Sequence, residues 1–261
     1  MWAVEWFGNK GAQLPYIRFA VRIIGLLLVV LIGLFIAFAF YGWMSKSKKE
    51  WVLRTWSRCL MKTTGVQVVS EGAPIMEGPV MLTANHVSWI DIFIINSQRA
   101  TAFIAKSEIR QWPVIGWLVG AVGTIFIQRG SRQAVVAINQ ILAKHFEEGT
   151  CIGLFPEGTT SEGFSVLHMF SGLLEGAMQA KVPIQPVALL FSHQGQRSSR
   201  VAFVGEQTLV ENIWVLLSSK DVSVTVRFLE PVTQAGEEVL ISRQEVADKI
   251  REALLREVSV S

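Results

Sequence analysis

Ile23 to Met44 is a run of apolar residues without a single charged side chain. As a helix rising ~1.5 Å per residue it covers about 33 Å, enough for a hydrocarbon core of ~30 Å. It is not a secretory signal. It is too long for an h-region, it begins too late, and no A-x-A-like site follows it. Arg18 and Arg22 precede it; Lys46, Lys48, Lys49, Arg54 and Arg58 follow. The more basic downstream flank predicts that the rest of the chain lies on the cytoplasmic face of the inner membrane. Trp2, Trp6, Phe7 and Tyr16 on one side, and Trp43, Trp51 and Trp56 on the other, occupy the places of interfacial anchors. Three geometries fit these residues: a spanning helix, an apolar hairpin made with the first 16 residues, or a helix dipping into one leaflet.

The chain of 261 residues has room for one large α/β domain besides that element. Hydrophobic residues at 51% and charged residues at 17% exclude disorder. A formal net charge of only +3 argues against nucleic acid as a partner. Cys59 and Cys151 are far apart and make neither a disulfide framework nor a C-x-x-C site. Cys151 opens an apolar run and reads as a core residue.

Residues 50–64 pattern as an amphipathic helix. Trp51, Leu53, Trp56, Leu60 and Met61 form its apolar side, and Glu50, Arg54, Arg58 and Lys62 recur every four residues as a polar stripe. Gly65 is the expected stop. Beyond it, β-branched and apolar runs at 66–69, 79–84, 101–105, 123–127, 151–155, 184–190, 201–204 and 222–229 predict strands. Helical patterns are predicted at about 90–97, 113–120, 132–148, 170–181, 207–217 and 242–258. This alternation predicts an α/β fold with a largely parallel central sheet flanked by helices, behind an N-terminal membrane-associated helical element. The expected division is 1–64 for the membrane and amphipathic helices and 65–261 for a catalytic domain.

Two polar motifs follow predicted strands, where open α/β sheets place their active sites. Val80–Ala84 leads into Asn85-His86, with Asp91 five residues after the histidine. Cys151–Phe155 leads into Pro156-Glu157-Gly158-Thr159-Thr160-Ser161. Positions five apart on a regular helix are about 140° out of phase. His86 and Asp91 therefore pair only if His86 lies on the loop and Asp91 in the first turn of the next helix. The carboxylate then fixes the imidazole tautomer and leaves the other nitrogen to take a proton from an alcohol near neutral pH. In the second motif Gly158 permits close backbone approach, and Thr159, Thr160 and Ser161 can donate hydrogen bonds. Glu157 has two uses open to it: binding a substrate hydroxyl, or orienting backbone around the site. No H-E-x-x-H, G-x-S-x-G or phosphate-binding P-loop occurs, so neither a metal site nor a covalent nucleophile can be read.

These blocks, in this order, resemble the glycerolipid acyltransferase family, whose best-known members acylate 1-acylglycerol-3-phosphate. Asn85-His86 with Asp91 is the first block. Lys106-Ser107-Glu108-Ile109, Pro113, Gly116 and Ile125-Phe126-Ile127-Gln128-Arg129 resemble the second. Phe155 to Ser161 is the third, and Val182-Pro183-Ile184-Gln185-Pro186-Val187 the fourth. The resemblance implies an O-acyltransferase that needs no cofactor and no metal. His86, aided by Asp91, would deprotonate a lysolipid hydroxyl, which attacks the thioester of acyl-CoA or acyl-carrier protein. Arg129, Glu157, Gly158, Thr159 and Lys106 would hold the acceptor among the membrane lipids.

One position departs from the family pattern: Thr160 stands where arginine is common. Arginine suits bidentate phosphate capture and threonine does not, so Thr160 is a candidate specificity residue. The leading expectation is 1-acyl-sn-glycerol-3-phosphate as acceptor, giving phosphatidic acid for phospholipid biosynthesis. Lyso-ornithine lipid or another lysophospholipid is the alternative. An idle membrane scaffold on the same fold is the reading from another class, and intact His86, Asp91, Glu157 and Gly158 argue against it.

Overall fold

A computed structural model describes residues 10–111, 116, 120, 123–127, 132–236 and 241–259. Strands β1 (Val66–Glu71), β2 (Val80–Ala84), β3 (Ala102–Lys106), β4 (Ile125–Ile127), β5 (Cys151–Leu154), β6 (Ile184–His193), β7 (Gln196–Arg197) and β8 (Val222–Phe228) form one sheet. Its order is β1-β8-β6-β2-β5-β3-β4, with β7 paired to β6. β4, β3, β5, β2 and β6 run parallel, while β1 and β8 run parallel to each other and antiparallel to β6. The expected largely parallel α/β sheet is present, closed on one side by a reversed pair. Central strands β2 and β5 are buried at every residue, so they read as continuous apolar runs rather than alternating ones. β8 alternates buried and half-buried residues. β6 tolerates Pro186 because its pairing with β8 begins only at Val187. The buried Gln185 side chain bonds Ala73 and Leu229 carbonyls in that gap.

The helices are α1 (Lys10–Ala39), α2 (Lys46–Thr64), α3 (Asp91–Gln98), α4 (Arg132–Glu147), α5 (Leu174–Gln179), α6 (Leu209–Ser218) and α7 (Arg243–Ser259). One core packs residues of α2, α3 and α6 against one sheet face; the other packs α4, α5 and α7 against the opposite face. α2 ends where the sequence predicts, on Gly65 in the left-handed region. The predicted strand at 201–204 is a loop instead. Its amides are used locally: Ala202 N–H donates to the Ser199 carbonyl, and Phe203 N–H to the Val87 carbonyl. The helix predicted at 113–120 lies largely outside the described residues.

The apolar run belongs to α1, which begins well before Ile23. Gln13–Ala39 is long and apolar enough to cross a membrane. It packs antiparallel along α2. A Cβ on Gly33 would lie 2.4 Å from Trp56 Nε1, so only glycine allows this approach, and Trp56 Nε1–H donates to the Val29 carbonyl at 2.8 Å. Arg18 and Arg22, expected as flanking charges, instead grip the C-terminal end of α6. Arg18 donates to the Ser218 carbonyl and Arg22 to the Leu217 and Ser219 carbonyls. Phe19 and Tyr16 pack on Trp214 of the same helix. Residues 10–16 continue α1 rather than folding back, so the hairpin partner is α2. Trp2, Trp6 and Phe7 lie outside the described residues.

Candidate active site

The two motifs stand about 70 residues apart in sequence, yet β2 and β5 are paired neighbours with Thr83 opposite Leu154. Both strands therefore release their loops at the same sheet edge. β6 runs on past the end of β2, and Asn85 clamps it: its side chain donates to the Leu189 carbonyl (3.1 Å) and accepts from the Leu189 amide (2.8 Å). That fixes the backbone immediately before His86.

His86 Nδ1 lies 2.7 Å from Asp91 Oδ2. The same oxygen accepts the amides of Val87 (2.7 Å) and Ser88 (2.9 Å). Asp91 is the first residue of α3, and its carboxylate reaches back over the turn that carries the histidine. Asp91 is fully buried, whereas the His86 side chain keeps 21% of its surface exposed. The carboxylate accepts, so Nδ1 carries the proton; Nε2 has no partner among the described residues. Phe155 stacks on the imidazole at 4.1 Å between ring centres, with the ring planes nearly parallel at 13°. Ring orientation is thus held by one ion-dipole contact and one flat apolar surface.

Phe155-Pro156-Glu157-Gly158 forms a turn closed by Gly158 N–H to the Phe155 carbonyl (3.1 Å), with proline and glycine at positions that favour such turns. Glu157 is buried and spends both oxygens on backbone. Oε1 accepts the His86 amide and Oε2 the Leu167 amide, each at 2.8 Å. Of its two expected uses, this structure displays the orienting one. Burial pushes its carboxyl up from the ordinary value, against the Leu167 and His86 amides that pull it down. The loop is sewn to the first motif a second time, since Ser161 N–H donates to the His86 carbonyl at 2.7 Å. Thr159 is exposed beside it. Thr160 donates its hydroxyl to the Phe203 carbonyl.

Of the residues expected to hold the acceptor, Glu157, Gly158 and Thr159 lie on the loop bonded to His86, together with the specificity candidate Thr160. Arg129 lies outside the described residues. Lys106 closes β3, which is separated from β2 by β5; its side chain is not described. Sequence reasoning missed the segment 194–204, which covers the two motifs through Phe203 and Arg197. Its apolar stretch reads as a strand, and only contacts with Val87 and Thr160 show it to be a wall of the site. Among the described residues no group of three His, Cys, Asp or Glu side chains gathers as a metal-binding set. A surface groove of about 630 Å³ over α6, lined by Val210 and Trp214 among others, includes none of these residues.

A buried carboxylate, a tautomer-locked imidazole and a polar loop sharing one edge make an arrangement suited to proton transfer from an alcohol. The model of the family described as Acyltransferase matches residues 60–190. The chain belongs to the acyltransferase family. Among similar proteins, a lyso-ornithine lipid O-acyltransferase of Pseudomonas aeruginosa is 36% identical over 176 residues, covering 67% of this chain and 66% of that protein. A 1-acyl-sn-glycerol-3-phosphate acyltransferase of Neisseria meningitidis is 34% identical over 186 residues, covering 70% and 71%. The crystal structure of a 1-acyl-sn-glycerophosphate acyltransferase from Thermotoga maritima superposes with a TM-score of 0.62 at 24% identity, covering 91% of this chain and 96% of that one, which establishes the shared fold. This acyltransferase thus has relatives named for two different lysolipid acceptors.

Proposed function

We propose that the protein transfers a fatty acyl group from acyl-CoA or acyl-carrier protein to the free hydroxyl of a lysolipid at a membrane surface. The observation that carries this reading is the 2.7 Å contact of His86 Nδ1 with buried Asp91, which leaves Nε2, on a ring that keeps 21% of its surface exposed, without a partner among the described residues. Nε2 takes the hydroxyl proton, and the oxygen attacks the thioester carbon. The C–S bond breaks, and the imidazolium returns its proton to the departing sulfur. Asp91 holds the imidazolium through the step without being protonated. Neither a cofactor nor a metal is required by this route.

The first reading of the acceptor is 1-acyl-sn-glycerol-3-phosphate, giving phosphatidic acid, supported by the Neisseria relative. One observation favours lyso-ornithine lipid. Thr160 stands where phosphate capture calls for a cation, it is tied to the Phe203 carbonyl, and the exposed side chain two residues on is Glu162. A carboxylate there repels a phosphate dianion and attracts an ammonium group. The Pseudomonas relative supports this second reading.

Contact of α1 with α2 and α6 along most of its length supports the one-leaflet geometry over a spanning helix. A perpendicular span would carry both partner helices into the bilayer with it. Leu14, Ile17, Leu28, Phe35, Phe38 and Trp43 remain outward for lipid, with the catalytic domain on the cytoplasmic face. Offering purified protein 1-acylglycerol-3-phosphate, lyso-ornithine lipid and lysophosphatidylcholine, each with labelled acyl-CoA and acyl-carrier protein, tests the whole proposal. Label should appear in one acylated lipid; release of free fatty acid only, or no turnover with any pair, refutes it.

A further inference from the structure

Ser192-His193 and Gln196-Arg197 form a short hairpin, closed by Gln194 and Gly195, both with positive φ. That two-residue turn matches the right-handed twist of its strands, and it sets Arg197 beyond the end of β2. Arg197 Nη2 donates to the Gly163 carbonyl at 2.6 Å, and its guanidinium lies over the Phe164 ring, 5.7 Å from the centre. Nε and Nη1 are buried and, among the described residues, have no hydrogen-bond partner. No carboxylate among the described residues forms an ion pair with it.

Arg99 leaves one donor idle, Nη1, while its Nη2 donates to the Gly78 carbonyl; Arg197 leaves two. Arg251 gives Nε and Nη2 to the Leu167 and Val166 carbonyls, and Arg227 is shared between Glu71 and Glu257. A desolvated guanidinium with two idle donors is costly, because both N–H groups have given up water for nothing. Burial accordingly pushes the Arg197 pKa down. Such a group is relieved by an incoming oxyanion.

Its position names the oxyanion. Gly163 ends the loop that begins at Glu157. Gly163 has φ +83°, and a Cβ there would come within 3.0 Å of Val87, the residue after His86. Between Gly158 and Gly163 the loop carries two threonines, a serine and Glu162, and no cation. Both acceptor lipids considered above bear an anionic oxygen group, a phosphate in one and a carboxylate in the other. Phe164, which lies against the guanidinium, is itself 44% exposed, so this side of Arg197 is near the surface.

We propose that Arg197 is a specificity-determining residue that receives the phosphate or carboxylate of the lysolipid headgroup through Nε and Nη1, while Nη2 keeps hold of Gly163. Binding of the anion then reinforces the loop that orders His86. This assignment rests on the lysolipid acyltransferase reading.

The test measures acceptor KM, thioester KM and kcat for the full chain, for Arg197→Gln and for Arg197→Lys, with 1-acylglycerol-3-phosphate and lyso-ornithine lipid as separate arms. Loss of a charge-assisted pair should raise acceptor KM roughly 10- to 100-fold in Arg197→Gln, with thioester KM held and kcat much less affected. Arg197→Lys, which keeps the charge and the stem if the glutamine variant does not fold, should give a smaller rise of the same kind. The arm showing the rise tells phosphate from carboxylate. An unchanged acceptor KM in both variants, or equal damage to acceptor and thioester KM, overturns the assignment while leaving the acyltransferase reading intact. Absence of transfer by the wild-type protein overturns both.

Discussion

Asp91 Oδ2 receives three hydrogens at once: Nδ1–H of His86 at 2.7 Å and the amides of Val87 and Ser88 at 2.7 and 2.9 Å. One buried oxygen therefore shapes the turn that carries the imidazole and selects its tautomer. His86→Ala should lower kcat by ~10²–10⁴-fold with a near-native melting temperature, because that ring is partly exposed. Asp91→Asn offers an amide NH₂ that competes with Nδ1–H for the shared space, and should lower kcat by a similar ~10²–10⁴-fold. Single-turnover acyl transfer checks both; full activity in either variant removes that residue from the chemistry.

Glu157 gives a prediction in pH. Burial raises its carboxyl above the ordinary value despite the opposing amides. The folded chain therefore binds this proton more tightly than the unfolded chain. Its contribution to stability is complete below the unfolded value of about 4.3 and is lost as pH rises through the folded value. Glutamine does not titrate. The melting-temperature advantage of wild type over Glu157→Gln should be largest in acid and shrink upward through that window, as read by thermal unfolding in detergent. A gap that is flat or widens with pH contradicts this.

Thr160→Arg puts a guanidinium on the acceptor loop and cuts its tie to the Phe203 carbonyl. The ratio of kcat/KM for 1-acylglycerol-3-phosphate over lyso-ornithine lipid should rise about tenfold or more, the worth of one charge-assisted contact. Direct competition of the two acceptors measures it, and a constant ratio denies Thr160 any part in headgroup choice.

Gly33→Leu forces a branched side chain into the indole of Trp56. Overpacking should cost about 1–3 kcal/mol, seen as earlier unfolding in detergent, with the His86 site unaltered. Deleting residues 10–39 should release the protein from vesicles in flotation; full retention would assign the anchor to α2 or the domain surface.

The composition of Ile23–Met44 was sufficient to announce a helix long and apolar enough to cross a membrane, since its length and lack of charge are local properties of the sequence. The alternation of β-branched runs and helical periods announced the α/β sheet. Spacing showed that His86 and Asp91 could pair only with His86 on a loop and Asp91 at the start of a helix, and the structure has that arrangement. Three matters depended on contacts distant in sequence. The pairing of β2 with β5 made neighbours of two motifs 70 residues apart. Arg18 and Arg22, plain flanking charges in the sequence, became clamps on α6 only because its terminal carbonyls lacked partners within their own helix. The stretch 201–204, strand-like by composition, was drawn into a loop because its amides met Val87 and Ser199 rather than a sheet edge. Periodicity and spacing encode what a residue does to its near neighbours; which distant backbone groups remain to be satisfied is decided only when the chain has closed on itself.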